Sequence, residues 1–123
     1  EDDAFDLVTS CLLFHETSAK AMPRILAESR RLLAQGGIMA HFDVPQVHHL
    51  DPIEAFLASW EEENNNENFA HVIRELDFAI PAQAGGWPAA ALSQPAVAMT
   101  GDVYVRTADS PRQVTWNVLL GEA

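Results

Sequence analysis

The chain has a single cysteine, Cys11, among 123 residues, so no internal disulfide can form and a reducing, cytoplasmic setting is expected. Basic residues are scarce: 7 Lys and Arg stand against 18 Asp and Glu, for a formal net charge of −11. Nucleic-acid binders displace counterions from phosphates with clustered cations, so this balance argues against a nucleic-acid partner. It argues equally against binding to an anionic membrane surface. Lys20, Arg24, Arg30 and Arg31 do fall in one segment, but they read as the solvent side of a helix. No apolar run is long enough to cross a bilayer. At Glu1-Asp2-Asp3 there is neither an initiator Met nor the basic and apolar regions of a signal peptide, and a truncated chain is expected.

What is present suits one globular unit: 48% of the residues are hydrophobic and 20% charged. Residues 5–13 (FDLVTSCLL) read as a strand buried on both faces, as in a parallel sheet. Glu16, Thr17 and Ser18 supply polar helix-starting chemistry, and Pro23 suits a first turn. Met22, Ile25, Leu26, Leu32 and Leu33 then keep helical spacing, with Arg24, Glu28, Arg30 and Arg31 between them. Gly36-Gly37 is expected to end this helix in a left-handed turn, and residues 38–44 (IMAHFDV) to form a second buried strand. The order strand, helix, glycine turn, strand defines a right-handed βαβ unit.

Asp51-Pro52 predicts the start of another helix, with Ile53, Phe56, Leu57 and Trp60 on its apolar face. Residues 61–67 (EEENNNE) read as a solvated break. Phe69, Val72, Ile73 and Leu76 mark a third helix, and residues 77–86 a short helix or turn. Val97, Met99, Val103, Tyr104 and Val105 are β-type, residues 108–111 signal a turn, and residues 114–120 (VTWNVLL) form the returning strand of an antiparallel hairpin.

The segment Phe5-Asp6-Leu7-Val8, then Leu12-Leu13-Phe14-His15-Glu16, Glu28-Ser29-Arg30-Arg31-Leu32, Gly36-Gly37 and a strand ending in Asp43 resembles the class I S-adenosylmethionine-dependent methyltransferases. The resemblance covers nearly the whole chain and rests on the order of its elements. Gln35 stands where that family usually has proline. It implies an α/β fold: a partial Rossmann-like sheet holding strands four to seven, mostly parallel with an antiparallel C-terminal hairpin strand, flanked by helices. Residues 1–123 would form a single partial domain without the N-terminal Gly-x-Gly loop and the acidic strand end that hold the cofactor. Neither feature stands in this sequence where the family places it, so weak or absent S-adenosylmethionine binding is expected of this chain alone.

The resemblance also directs attention to particular residues. Ser10, Cys11 and Leu12 end the first strand, where open α/β sheets place ligands, and are the candidate cofactor contacts. His15 is the candidate catalytic base; alternatively it is a helix-entry histidine partnered by Glu16. His41 and Asp43 share a face of the second strand and are candidate substrate contacts. No metal is assigned, since two ligands are too few. Trp60, Trp87, Trp116, Phe56, Phe69 and Phe78 form either a lid over an apolar substrate or part of the core.

Two functions remain open from the sequence. In one, the parent protein methylates a small-molecule acceptor and this chain is its substrate-side half, inactive alone. In the other, the half-domain is a non-catalytic oligomerisation or interaction module. Either way residues 5–13 would be an apolar edge, and a homodimer covering it is expected.

Overall fold

The computed structural model describes residues 2–95, 97–98 and 115–123. Strand β1 (Phe5–Cys11) leads through a one-turn 3₁₀ helix at Phe14–Glu16 to helix α1 (Met22–Leu32). Strand β2 (Leu33–Asp43) follows, then helices α2 (Pro52–Asn65), α3 (Ala70–Glu75) and α4 (Ala79–Ala84). Short strands β3 (Leu92–Ser93) and β4 (Val97–Ala98) precede β5 (Thr115–Glu122). The strand order is β1-β2-β5-β3, with β4 paired to β5. β1 and β2 run parallel, while β5 runs antiparallel to β2, β3 and β4. The fold is thus α/β, with a mixed sheet flanked by helices. The expected β-type segment at Met99, Val103, Tyr104 and Val105, the turn at 108–111 and Val114 lie outside the described residues.

The pleat of β2 sorts its side chains. Met39, His41 and Asp43 are 0–2% exposed and face the helices. Alternate residues of β1 and β2, paired as Leu7 with Ile38, Thr9 with Ala40 and Cys11 with Phe42, point the other way. There Leu7 is 57% and Ile38 49% exposed. The expectation that β1 is buried on both faces is therefore corrected. Among the described residues β1 pairs only with β2 and the helices cover one face, which leaves its outer edge and opposite face open.

The core lies between that covered face and the helices: Phe14, Met22, Leu26, Leu33, Met39, Ile73, Phe78, Ala82, Trp87 and Leu119. Each large side chain here contributes roughly 1.5–3 kcal/mol by leaving water. Trp87 also donates its indole N–H to the Leu26 carbonyl at 2.8 Å, which joins the C-terminal connection to α1. Gly85 lets α4 approach α1 closely, since a Cβ there would lie 2.6 Å from the Pro23 carbonyl oxygen.

Several boundaries differ from the sequence pattern. α1 begins with Pro23 in its first turn, as the pattern predicts, but its N-cap is Ala21 without a side-chain bond. The polar Glu16-Thr17-Ser18 group lies before it and does not cap it. The helix ends at Leu32 because Leu33 is already extended. β2 starts there, and Gly36, at φ +79°, takes its left-handed turn inside the strand rather than at the helix end. The slack appears as a register shift: Phe5 pairs with Leu33, but Leu7 pairs with Ile38.

α2 starts as expected. The Asp51 carboxylate accepts the N–H groups of Ile53 and Glu54, and Glu54 accepts the Asp51 N–H, a reciprocal cap. It does not break at Glu61, however. Its helical turns continue through Asn65 and stop at Asn66, whose φ of +60° ends the helix. Its apolar stripe turns outward: Ile53 is 67%, Phe56 66% and Trp60 55% exposed. The aromatic residues therefore divide, with Phe78 and Trp87 in the core and Phe56, Trp60 and Phe69 on the surface.

Candidate functional site at the carboxyl edge of the sheet

The parallel register of β1 and β2 brings the candidate residues to one end of the sheet, where Ser10 pairs with His41 and Cys11 with Phe42. Beyond Cys11 the chain turns sharply. Leu12 adopts φ +57°, a left-handed conformation costing a leucine about 1–2 kcal/mol, and is held there as its N–H donates to the Phe42 carbonyl at 2.8 Å. The turn drops Phe14 into the core and sets His15 over the end of β2.

Asp43 is the anchor of this arrangement. It is fully buried, and both of its oxygens are used. One accepts the Phe14 N–H at 2.7 Å. The other faces His15 Nδ1 at 2.9 Å and accepts the Val44 N–H at 2.8 Å. A buried carboxylate with three donors is well compensated for the water it has lost. Glu16, the partner expected from sequence, reaches the other nitrogen of His15 only at 3.6 Å.

His41 forms a separate chain of contacts. Its ring is 2% exposed and meets the edge of Phe14 at 5.0 Å between centroids. Ser10 Oγ lies 2.6 Å from Nδ1 and Ser29 Oγ 3.3 Å from Nε2. The Ser29 hydroxyl donates its proton to the Ile25 carbonyl at 3.0 Å, so it can only accept from His41. His41 therefore carries its proton on Nε2, and the Ser10 hydroxyl donates to Nδ1. Burial pushes its pKa down from 6.5 to about 4, against a smaller opposing pull from Asp43. It is a neutral ring at pH 7.

The structure thus brings Ser10 together with His41, and His15 together with Asp43. His41 and Asp43 do not bond each other, although both project from the same face of β2. Ser29 and the backbone N–H of Phe14 complete the site, and neither is marked by any motif. Asn117, opposite Asp43 on β5, is 4% exposed and its amide nitrogen lacks a hydrogen-bond partner among the described residues. Cys11 and Leu12 are open to solvent at the end of β1. Among the described residues no three His, Cys, Asp or Glu side chains gather as a metal-ligand set, and no helix is long and apolar enough to cross a membrane. An open depression of about 650 Å³, lined by Asp3, Arg30, Gly85 and Ala123, lies at the opposite end of the sheet.

A strand, helix, strand unit carrying polar side chains at its carboxyl edge is a common platform for enzymes that bind nucleotide-like ligands. The family model described as a methyltransferase domain matches residues 1–41, spanning β1, α1 and nearly all of β2. This match is consistent with a fragment of a class I S-adenosylmethionine-dependent methyltransferase domain. No curated protein matches the chain at a significant level.

The three candidate cofactor contacts lie at the carboxyl end of β1. Cys11 and Leu12 are exposed there, and the left-handed turn at Leu12 presents backbone beside the open edge of β1. The Ser10 hydroxyl is already committed to His41.

Proposed function

We propose that the protein containing this chain transfers a methyl group from S-adenosylmethionine to a small-molecule acceptor in the cytoplasm, and that this chain forms the acceptor-side half of the domain. The match over β1, α1 and β2 carries this reading. The antiparallel β5 beside β2 supports equating the strands with the fourth to seventh of the complete sheet. The cofactor supplies an electrophilic methyl group. In this chain Cys11 and Leu12 would form one wall beside it, while His15, Asp43 and the Ser10–His41 pair order the acceptor side. Calorimetric titration of this chain with S-adenosylmethionine tests the division of labour. Binding no tighter than about millimolar is expected when most contacts belong to the other half. Submicromolar binding would overturn it.

The exposed edge of β1 favours a second reading, in which the half-domain is a non-catalytic assembly module. β1 carries one charge, Asp6, within seven residues, and among the described residues its outer backbone groups have no neighbouring strand in the sheet. Pairing of two β1 edges would give a homodimer. Light scattering at micromolar concentration should then report a dimer for the wild-type chain and a monomer for Leu7→Lys/Thr9→Lys. A monomeric wild-type chain would refute this second reading.

A further inference from the structure

We infer that Asp43 is a positioning residue that fixes His15 in the Nδ1–H tautomer, leaving Nε2 as the proton acceptor for an oxygen or nitrogen nucleophile that carries a proton. The inference deepens the methyltransferase reading and rests on it for the identity of the reaction. Its geometric basis does not.

A carboxylate only accepts hydrogen bonds, and that of Asp43 is fully buried with three nitrogens directed at it. A bond to the 2.9 Å nitrogen of His15 therefore requires the proton on Nδ1. That leaves the lone pair on Nε2. Among the described residues nothing donates to this lone pair: its near neighbour is the Glu16 carboxylate at 3.6 Å, which is 65% exposed and can move aside. Fully buried, Asp43 is out of reach of a substrate, so its effect on an acceptor passes through His15.

The contrast with His41 shows that the environment selects the tautomer. His41, two residues from Asp43 on the same strand face, carries its proton on Nε2 and has both nitrogens occupied by serines. It has no free lone pair and no exposure. Of these two histidines at the carboxyl edge, only His15 can take a proton from a bound molecule.

The chemistry balances simply. As the acceptor oxygen or nitrogen is methylated, its lone pair forms the bond to the methyl carbon. The carbon–sulfur bond breaks with its electron pair left on sulfur, and the acceptor's proton moves to His15 Nε2. The imidazolium so formed has a carboxylate near each nitrogen, Asp43 on one side and Glu16 on the other. Acceptors without a proton on the nucleophile, such as thioethers or tertiary amines, gain nothing from this device.

Nitrogen-15 NMR of the histidine rings of this chain tests the inference without requiring activity. His15→Gln assigns the resonances, and His41 in the opposite tautomer serves as an internal reference. At neutral pH, His15 should show a protonated Nδ1 and an unprotonated Nε2, and Asp43→Asn should shift its population toward Nε2–H. A wild-type His15 protonated on Nε2 overturns the proposal, and so does a tautomer unmoved by Asp43→Asn. The wild-type spectrum decides the first point even if the variant fails to fold. In the methyl-transferring protein, His15→Gln should lower kcat roughly a hundred- to ten-thousand-fold on a hydroxyl acceptor, with KM little changed. An unchanged kcat removes the base role. The correct tautomer in a protein that transfers no methyl group would remove the methyltransferase reading and leave the Asp43–His15 geometry standing.

Discussion

Acidification acts on this fold most directly through His41. Its imidazole is 2% exposed, and its pKa falls from 6.5 to about 4 on burial. Between those two values the unfolded chain binds a proton that the folded chain does not. Stability from this group is thus fully present above pH 6.5 and is lost as pH falls through the window to about 4. The difference of 2.5 units (6.5 less 4) at about 1.4 kcal/mol per unit corresponds to about 3 kcal/mol. That is a large share of the roughly 5–15 kcal/mol of a typical domain. Urea denaturation measured at intervals from neutral pH to about 4 reads it out. Carboxylates also titrate in this range, so the comparison is with His41→Gln, whose amide can accept from Ser10 and donate to Ser29 without titrating. The wild-type curve should fall more steeply than the variant's by about 3 kcal/mol across the window. Parallel curves would refute the claim that a buried, neutral His41 ties β2 to β1 and α1.

Two further outcomes are expected. Arg74 and Glu62 form a 2.6 Å ion pair with side chains 6% and 14% exposed, so Glu62→Ala should cost roughly 3–5 kcal/mol by stranding the guanidinium, and Glu62→Leu/Arg74→Met should recover most of it in thermal unfolding. Gly85→Ala should lower Tm through a loss of about 1–3 kcal/mol, because the added methyl meets the Pro23 carbonyl and forces α4 from α1; a neutral result would show that the two helices can separate freely.

The local sequence determined much of the scaffold. The apolar run of β1, the helical spacing of α1 and the following strand are short-range patterns, and the βαβ order follows from their succession. Asp51-Pro52 likewise marked the start of α2, because an N-cap and its first turn are read within four residues. The end of α2 was less legible. Glu61 to Asn65 are compatible with either helix or solvated turn, and the Arg74 guanidinium bonded to Glu62 from α3 is a contact that tips the balance toward helix. The outward turn of Ile53, Phe56 and Trp60 was equally hidden, since an amphipathic pattern defines an apolar face without saying what it meets.

At the candidate site the sequence supplied the residue types and the tertiary structure assigned their partners. His15 and Asp43 are 28 residues apart, and Ser10 and His41 are 31 apart. Neither pairing can be read from spacing, because each depends on the parallel register of β1 against β2 and on the left-handed turn at Leu12. Sequence placed His41 and Asp43 on one face of a strand. Only the fold could show that Ser10 and Ser29 enclose the first, while the second is consumed by holding His15 in place.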